Sequence, residues 1–184
     1  MNNLVDPILR IIISITCFLY AMYYMQRKDE ATAAGSFAAA QFFFGVWTLL
    51  DAVKFFTGDN DTLPWLQSFT YIIAEFSAYS LFRFSVRYSI SDKLRNKKTL
   101  LIPAGFLFLT IILFLVVGNK LFIDPESPAQ KGISVLETAY MYHKNPWYFI
   151  HVAYCYLLVA VSMGFLIYRS VSRKQIHRKQ YILV

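Results

Sequence analysis

The chain has 184 residues, of which 57% are hydrophobic and 16% charged, with a net charge of +7. Soluble domains average about half apolar and about a quarter charged residues, so this composition favours a protein surrounded by lipid. The basic residues lie beside apolar segments, where contact with anionic lipid explains them better than nucleic acid does. We therefore expect a membrane protein whose first partner is the lipid bilayer, and we expect no nucleic-acid partner.

Five apolar segments are long enough to cross a bilayer. A helix needs about 20 mostly apolar residues to cross about 30 Å of hydrocarbon. The segments are residues 7–25, 35–57, 64–88, 99–118 and 147–169. They leave no room for a separate soluble domain, so residues 1–184 are predicted to form a single domain. The predicted fold is all-α, a polytopic transmembrane bundle of about five helices, in the multi-pass class of the cell membrane.

The basic residues are distributed unequally between the two sides of this bundle. In the connecting segments, one side carries about four times as many Lys and Arg residues as the other. The rich side carries Arg27, Lys28, Arg87, Lys93, Arg95, Lys97, Lys98, Arg169, Arg173, Lys174, Arg178 and Lys179. The poor side carries Lys120, Lys131 and Lys144. This bias predicts an N-terminus outside the cell and a C-terminal tail in the cytoplasm.

The longest connection is the predicted outer loop, residues 119–146. The segment from Ile133 to Tyr142 mixes β-branched and aromatic residues, which predicts a short strand or hairpin folded over the bundle as a lid. The chain ends in Gln180–Val184, which resembles the start of a further apolar segment. We therefore expect either a short gene product or a longer protein cut before a sixth helix.

Ionisable residues lie inside several of the predicted helices. Each costs about 2.5–3.5 kcal/mol at the centre of a bilayer, so each needs a partner or a purpose. Asp51 and Lys54 are three residues apart on one helix face, within reach of each other. The third helix carries a polar series at every fourth position, a stripe that drifts slowly round the helix. The series is Gln67, Tyr71, Glu75, Tyr79 and Arg83.

Three interpretations of the outer polar residues stay open: structural ion pairs, a binding pocket open to the outside, and an ion path. Trp47 lies one turn from Asp51 and fits either the wall of a pocket or, as we favour, the packed core. The hypothetical ligand-binding set is Arg10, Trp47, Asp51, Lys54, Tyr71, Glu75, His151 and Tyr154. Cys17 and Cys155 stand alone in separate helices, so we predict no metal site and no cofactor.

Several short motifs occur in an order that resembles a known family. They are Trp47; Tyr71 followed by Phe82–Tyr88; Pro103; Asn119–Phe122; Pro146–His151 with Tyr154 and Tyr156; and the basic Arg178-Lys179-Gln180. The pattern is similar to the N-terminal seven-helix sensor region of bacterial and archaeal histidine kinases, and it covers nearly the whole chain. Two features depart from it: Ala74–Ser77 replaces a proline midway along the third helix, and no His follows Asn119.

The resemblance implies a sensory input module that binds an outer or membrane-borne signal, a small ligand or a peptide, and passes a helix shift to a cytoplasmic output domain. It implies no catalytic residue in this chain, because the sixth and seventh helices and the kinase domains are missing; His177 gets no catalytic role. Kinases of this type usually pair, so a homodimer is the expected assembly. The alternative function is a small transporter or channel that uses Asp51, Lys54 and Glu75, and a membrane enzyme ranks last.

Overall fold

The computed structural model describes residues 5–27, 33–57, 62–89, 97–122 and 145–181, without the side chains of 97–98 and 172–181. These residues form five α-helices and a short 3₁₀ turn, with no strand among them, so the all-α prediction is confirmed. The helices are α1 Val5–Gln26, α2 Ala34–Val53, α3 Thr62–Ser89, α4 Lys97–Val117 and α5 Pro146–Tyr181. The predicted strand or hairpin at 133–142 lies outside the described residues.

Four of the described helices, α1, α2, α4 and α5, are long and apolar enough to cross a bilayer. The remaining one, α3, has 28 residues and a length of about 42 Å, but it is more polar than the others. Its polar residues are mostly buried, among them Ser68, Thr70, Glu75, Ser80 and Ser85. Since neighbouring helices surround α3, it does not need the apolar surface that a lipid-facing helix needs.

The helix α3 packs on the helix that precedes it and on the helix that follows it. Near its end, Phe84 packs on Phe37 at the start of α2, with ring centroids 4.9 Å apart. Near its start, Phe69 packs on Phe114 at the end of α4, at 5.4 Å. Because α2 and α4 are both of membrane-spanning length and composition, α3 lies alongside two candidate membrane-spanning helices. We call the end of the bundle at which α1, α3 and α5 begin the upper end.

The bundle is organised around α3, which packs on α2, α4 and α5, while α1 packs on α2. Two apolar clusters join α3 to α4 and α5. The upper cluster contains Ile72, Phe114, Leu121 and Phe122, and the lower one contains Ala78, Phe82, Val86 and Leu158. The apolar core therefore lies on the α4 and α5 sides of α3.

The two ends of the predicted outer loop are joined by hydrogen bonds. Gly118 has φ +70°, which ends α4 in the left-handed conformation that favours glycine. The chain then forms a 3₁₀ turn over Gly118–Leu121, and the backbone N–H of Asn145 donates to the carbonyl of Phe122 at 3.1 Å. Residues 123–144 lie outside the described residues, so the lid stays a prediction.

Close packing of α1 on α2 depends on Gly45. The hydroxyl of Ser14 donates to the carbonyl of Gly45 at 2.8 Å, and Ser14 is buried. A Cβ atom at position 45 would lie 3.0 Å from the Phe18 ring and 3.2 Å from the Cβ of Cys17. Small residues at such contacts let membrane helices approach closely.

We predict that Gly45→Leu destabilises the fold by about 1–3 kcal/mol, because the added side chain has no space between α1 and α2. The measurement is the unfolding midpoint in mixed detergent micelles containing increasing SDS. The control is Gly105→Leu on α4, where an added Cβ would meet no atom within 4 Å. Equal losses in the two variants would show that the α1–α2 contact is not tightly packed.

Candidate functional site

A cavity of about 610 Å³ opens between α2, α3 and α5. Binding pockets for small molecules typically have volumes of about 300–1,000 Å³, so this one has the size of a ligand site. Its floor is the face of α3 that carries Thr70, Ala74 and Ser77, where the side chains are small. Phe44 and Trp47 of α2 line one wall, and the opposite wall is formed by His151, Val152, Cys155, Tyr156 and Val159 of α5.

A cluster of charged residues lies at the upper end of this cavity. Asp51 accepts from Lys54 Nζ at 2.8 Å and from Arg10 Nη1, so one carboxylate joins two cations. Arg10 Nε also donates to Asp6 at 3.0 Å, and its guanidinium lies over the Phe55 ring. The ion pair of Asp51 with Lys54 has the spacing anticipated from the sequence. The contact of Arg10 with Asp51 links α1 to α2.

A second polar cluster is buried between α3, α4 and α5. The carboxylate of Glu75 has no exposed surface, and its Oε2 lies 3.1 Å from Nδ1 of His151, which is 2% exposed. The hydroxyl of Thr110 on α4 donates to Glu75 Oε1 at 3.4 Å. The Nε2 atom of His151 lies 3.7 Å from the thiol of Cys155. We call Glu75, Thr110, His151 and Cys155 the buried polar cluster.

The structure brings six of the eight predicted binding residues to the cavity wall. They are Arg10, Trp47, Asp51, Lys54, Tyr71 and His151. Glu75 lies behind His151, on the α4 side of the imidazole. Tyr154 lies against α4, where its hydroxyl donates to the carbonyl of Pro103 at 2.8 Å and its ring stacks on Phe106. These two residues support the cavity from behind and are not among its lining residues.

The residues of the polar series on α3 lie in different surroundings, as the drift of the series round the helix predicts. Gln67 and Tyr71 line the cavity, whereas Glu75 points between α4 and α5. Arg83, two turns further on, is exposed. The series is therefore not one functional stripe, because a step of four residues advances the side chain by about 40° each time.

Sequence reasoning missed Thr110 as a partner of Glu75. It is an isolated hydroxyl in an otherwise apolar helix, a signal that a buried polar partner lies on a neighbouring helix. It also missed Cys155, which lies on the cavity wall. Its position four residues after His151 puts both side chains on one helix face. Among the described residues, no group of His, Cys, Asp or Glu is suited to hold a metal ion.

A bundle of long helices, four of them apolar enough to cross a bilayer, surrounds a cavity of ligand size, as in a polytopic membrane protein. The family model described as the N-terminal 7TM region of histidine kinase matches residues 9–184, so the chain belongs to this family. Searches of the curated proteins and of the solved structures found no match to this chain. The family membership confirms the resemblance found in the sequence motifs, and it assigns the chain to membrane sensory input regions, which are not catalytic themselves.

We predict that Glu75→Leu and His151→Leu each destabilise the bundle by about 1–3 kcal/mol, since each leaves the other polar group buried without its partner. The loss in free energy of unfolding of the double variant should be smaller than the sum of the two single losses by at least about 0.5 kcal/mol. The measurement is a double-mutant cycle on the SDS unfolding midpoint.

Arg83→Leu is the control for this cycle, because Arg83 is exposed on the same helix. Its effect should add to that of His151→Leu without any interaction energy. Simple additivity of the Glu75 and His151 variants would mean that the two side chains do not stabilise each other.

Proposed function

We propose that this chain binds an extracytoplasmic or membrane-borne signal in the cavity between α2, α3 and α5 and relays it to a cytoplasmic output domain. One observation carries the proposal: His151 belongs both to the cavity wall and to the buried polar cluster. A ligand that touches His151 therefore acts on a side chain that contacts Glu75 of α3, and Glu75 in turn accepts from Thr110 of α4.

A signal is transmitted only if the ligand binds two arrangements of the helices with different affinities. The cavity meets this requirement because its walls belong to separate helices: Trp47 to α2, Tyr71 to α3 and His151 to α5. In the described helices, α2 and α5 each pack on α3, which lies between them. A bound ligand would contact both, so its binding energy would depend on the spacing of α2 from α5.

The charged cluster supports the same interpretation. Asp51 is held between Arg10 and Lys54, so each partner can be exchanged for a group of a ligand at the upper end of the cavity. Such an exchange changes the ion pairs that join α1 to α2. The energy of the cluster would then differ between the empty and the occupied cavity, which is the difference that a sensor requires.

The helix α5 has the length to carry the change away from the cavity. It comprises 36 residues, about 54 Å, which exceeds the bilayer core of about 30 Å. His151 lies near its first turn, and its last turns carry basic residues such as Arg173 and Arg178. With the basic end in the cytoplasm, as the positive-inside rule favours, a shift of α5 at the cavity reaches the cytoplasmic side directly.

We predict that filling the cavity changes the output. Ser77→Trp places a large side chain on the α3 floor, which should separate α2 from α5. With the chain fused to the cytoplasmic core of a membrane histidine kinase, basal autophosphorylation should change by about fivefold or more, the lower range of typical coupling energies. Membrane vesicles and a phosphorylation assay suffice for the measurement.

The matched control is Leu109→Trp, because Leu109 is an exposed residue of α4. It should leave the kinase output at the wild-type level. If Ser77→Trp folds and also leaves the output unchanged, the cavity is not the signal site. Solute flux in proteoliposomes that depends on Asp51 would then favour the transporter alternative.

We predict an N-out, C-in orientation, which follows from the basic residues in the connections. A green fluorescent protein fused after Val184 should fluoresce, whereas alkaline phosphatase inserted after Asp59 should be active. The opposite pair of results would reverse the orientation. The upper end of the cavity would then face the cytoplasm.

A further inference from the structure

We propose that the ligand of this cavity is a single-chain anionic amphiphile, with its acidic head at Lys54 and its apolar chain along α3. The proposal rests on the proposed function and names the class of ligand. The ligands of this class share a carboxylate or phosphate head on an acyl chain. Four observations carry it: the side from which the cavity opens, the character of its walls, its length, and the cation at its upper end.

The cavity opens sideways, toward the lipid. Its two rims are aromatic residues on the flanking helices, and both are exposed: Phe44 on α2 is 37% exposed and Tyr156 on α5 is 73% exposed. On the opposite side α3 closes the space. Because the flanks of a spanning bundle face acyl chains, a membrane-dissolved molecule reaches the groove without crossing water.

The lower part of the groove is lined by apolar and small side chains. Ala74, Ala78 and Leu81 line it on α3, and Val152 and Val159 line it on α5. A strongly polar solute would lose its hydration there and find few partners, such as Ser77 and Tyr156, and each group left unpaired costs roughly 2–7 kcal/mol by transfer scales. An alkyl chain loses no hydrogen bonds on entering. The lining therefore selects an apolar tail.

The length of the groove fits one acyl chain. From Gln67 to Leu81 the lining of α3 extends over 14 residue steps, or about 21 Å along the helix. One leaflet of the hydrocarbon core is about 15 Å thick, half of the full core of about 30 Å. A single extended chain with a head group therefore occupies the groove from the charged cluster to its lower end.

The upper end provides an anion site. Lys54 lines the cavity and is 7% exposed, and among the described residues Asp51 is the acceptor for its ammonium group. An ammonium group has three N–H donors, so one acidic side chain does not satisfy it. Arg10 forms an ion pair with the same carboxylate and lines the same end of the cavity. Arg10 also has Asp6 as a partner, whereas the ammonium group of Lys54 shares Asp51 with Arg10, so an anionic head at Lys54 is favoured over a neutral or cationic one.

The test uses the whole 184-residue chain in phosphatidylcholine nanodiscs and the fluorescence of Trp47, which lines the cavity. The probes are palmitate and hexadecyl phosphate brominated on the chain, since bromine quenches a tryptophan that it touches. Brominated hexadecanol, with the same chain and an uncharged head, is the reference. We expect saturable quenching by both acids and an affinity about tenfold lower for the alcohol, since a hydrogen bond to a charged group is worth about that factor.

Three variants show which residues produce the quenching and bind the head group. Trp47→Phe should remove the saturable quenching, which shows that the emission comes from the cavity. Lys54→Met should lower the affinity for palmitate about tenfold, to that of the alcohol. Lys120→Met is its matched control, because Lys120 is a cation near the same end of the bundle and does not line the cavity; it should bind palmitate as the wild type does.

Equal affinities of palmitate and hexadecanol in the unmodified chain would overturn the anionic head, whether or not Lys54→Met folds. If no probe gave saturable quenching, the proposal of an amphiphilic ligand would be wrong. The groove would then be interpreted as a contact surface for another helix. Preference for only one of the two acids would support the proposal and identify the head. If palmitate fails while Ser77→Trp still changes kinase output, the ligand class fails and the proposed function stands.

Discussion

The structure depends on the burial of one carboxylate. Glu75 has no exposed surface in a bundle that lipid surrounds, and an unpaired polar group in such a place costs several kcal/mol. Its partners are His151 on α5 and Thr110 on α4, so both helices must meet α3 at that level. Most of the remaining packing of α3 on α4 and α5 is apolar and tolerates sliding, so these contacts, with the hydrogen bond of Tyr154 to Pro103, fix one register of the three helices.

The cavity follows from the central position of α3. This helix packs on α2 through one face and on α4 and α5 through others, and the face between α2 and α5 carries small side chains such as Ala74 and Ser77. No large residue of α3 fills the gap between its two neighbours there. The same polar and small residues that lower the hydropathy of α3 therefore produce both the buried cluster and the empty space beside it.

The sequence alone was sufficient to predict the features that depend on local composition. Four spans follow from runs of apolar residues, the Asp51–Lys54 pair follows from spacing on one helix, and the family follows from motif order. It was insufficient wherever helices had to be placed against one another. Tyr154 was grouped with His151 because they share a helix, yet its hydroxyl bonds to Pro103 of α4, a contact that no local pattern reveals.

The two polar clusters differ in a way that suits their places beside the cavity. In the buried cluster, Glu75 and Thr110 are fully buried between helices, so a change there requires the helices themselves to move. The charged cluster is partly exposed, and its ions can exchange partners at a smaller cost because water or a ligand replaces what is lost. In the proposed function, an exchangeable end and a rigid end beside one cavity would convert the arrival of a charged group into strain between α2 and α5. A shift of α5, the helix that carries His151, would relieve that strain.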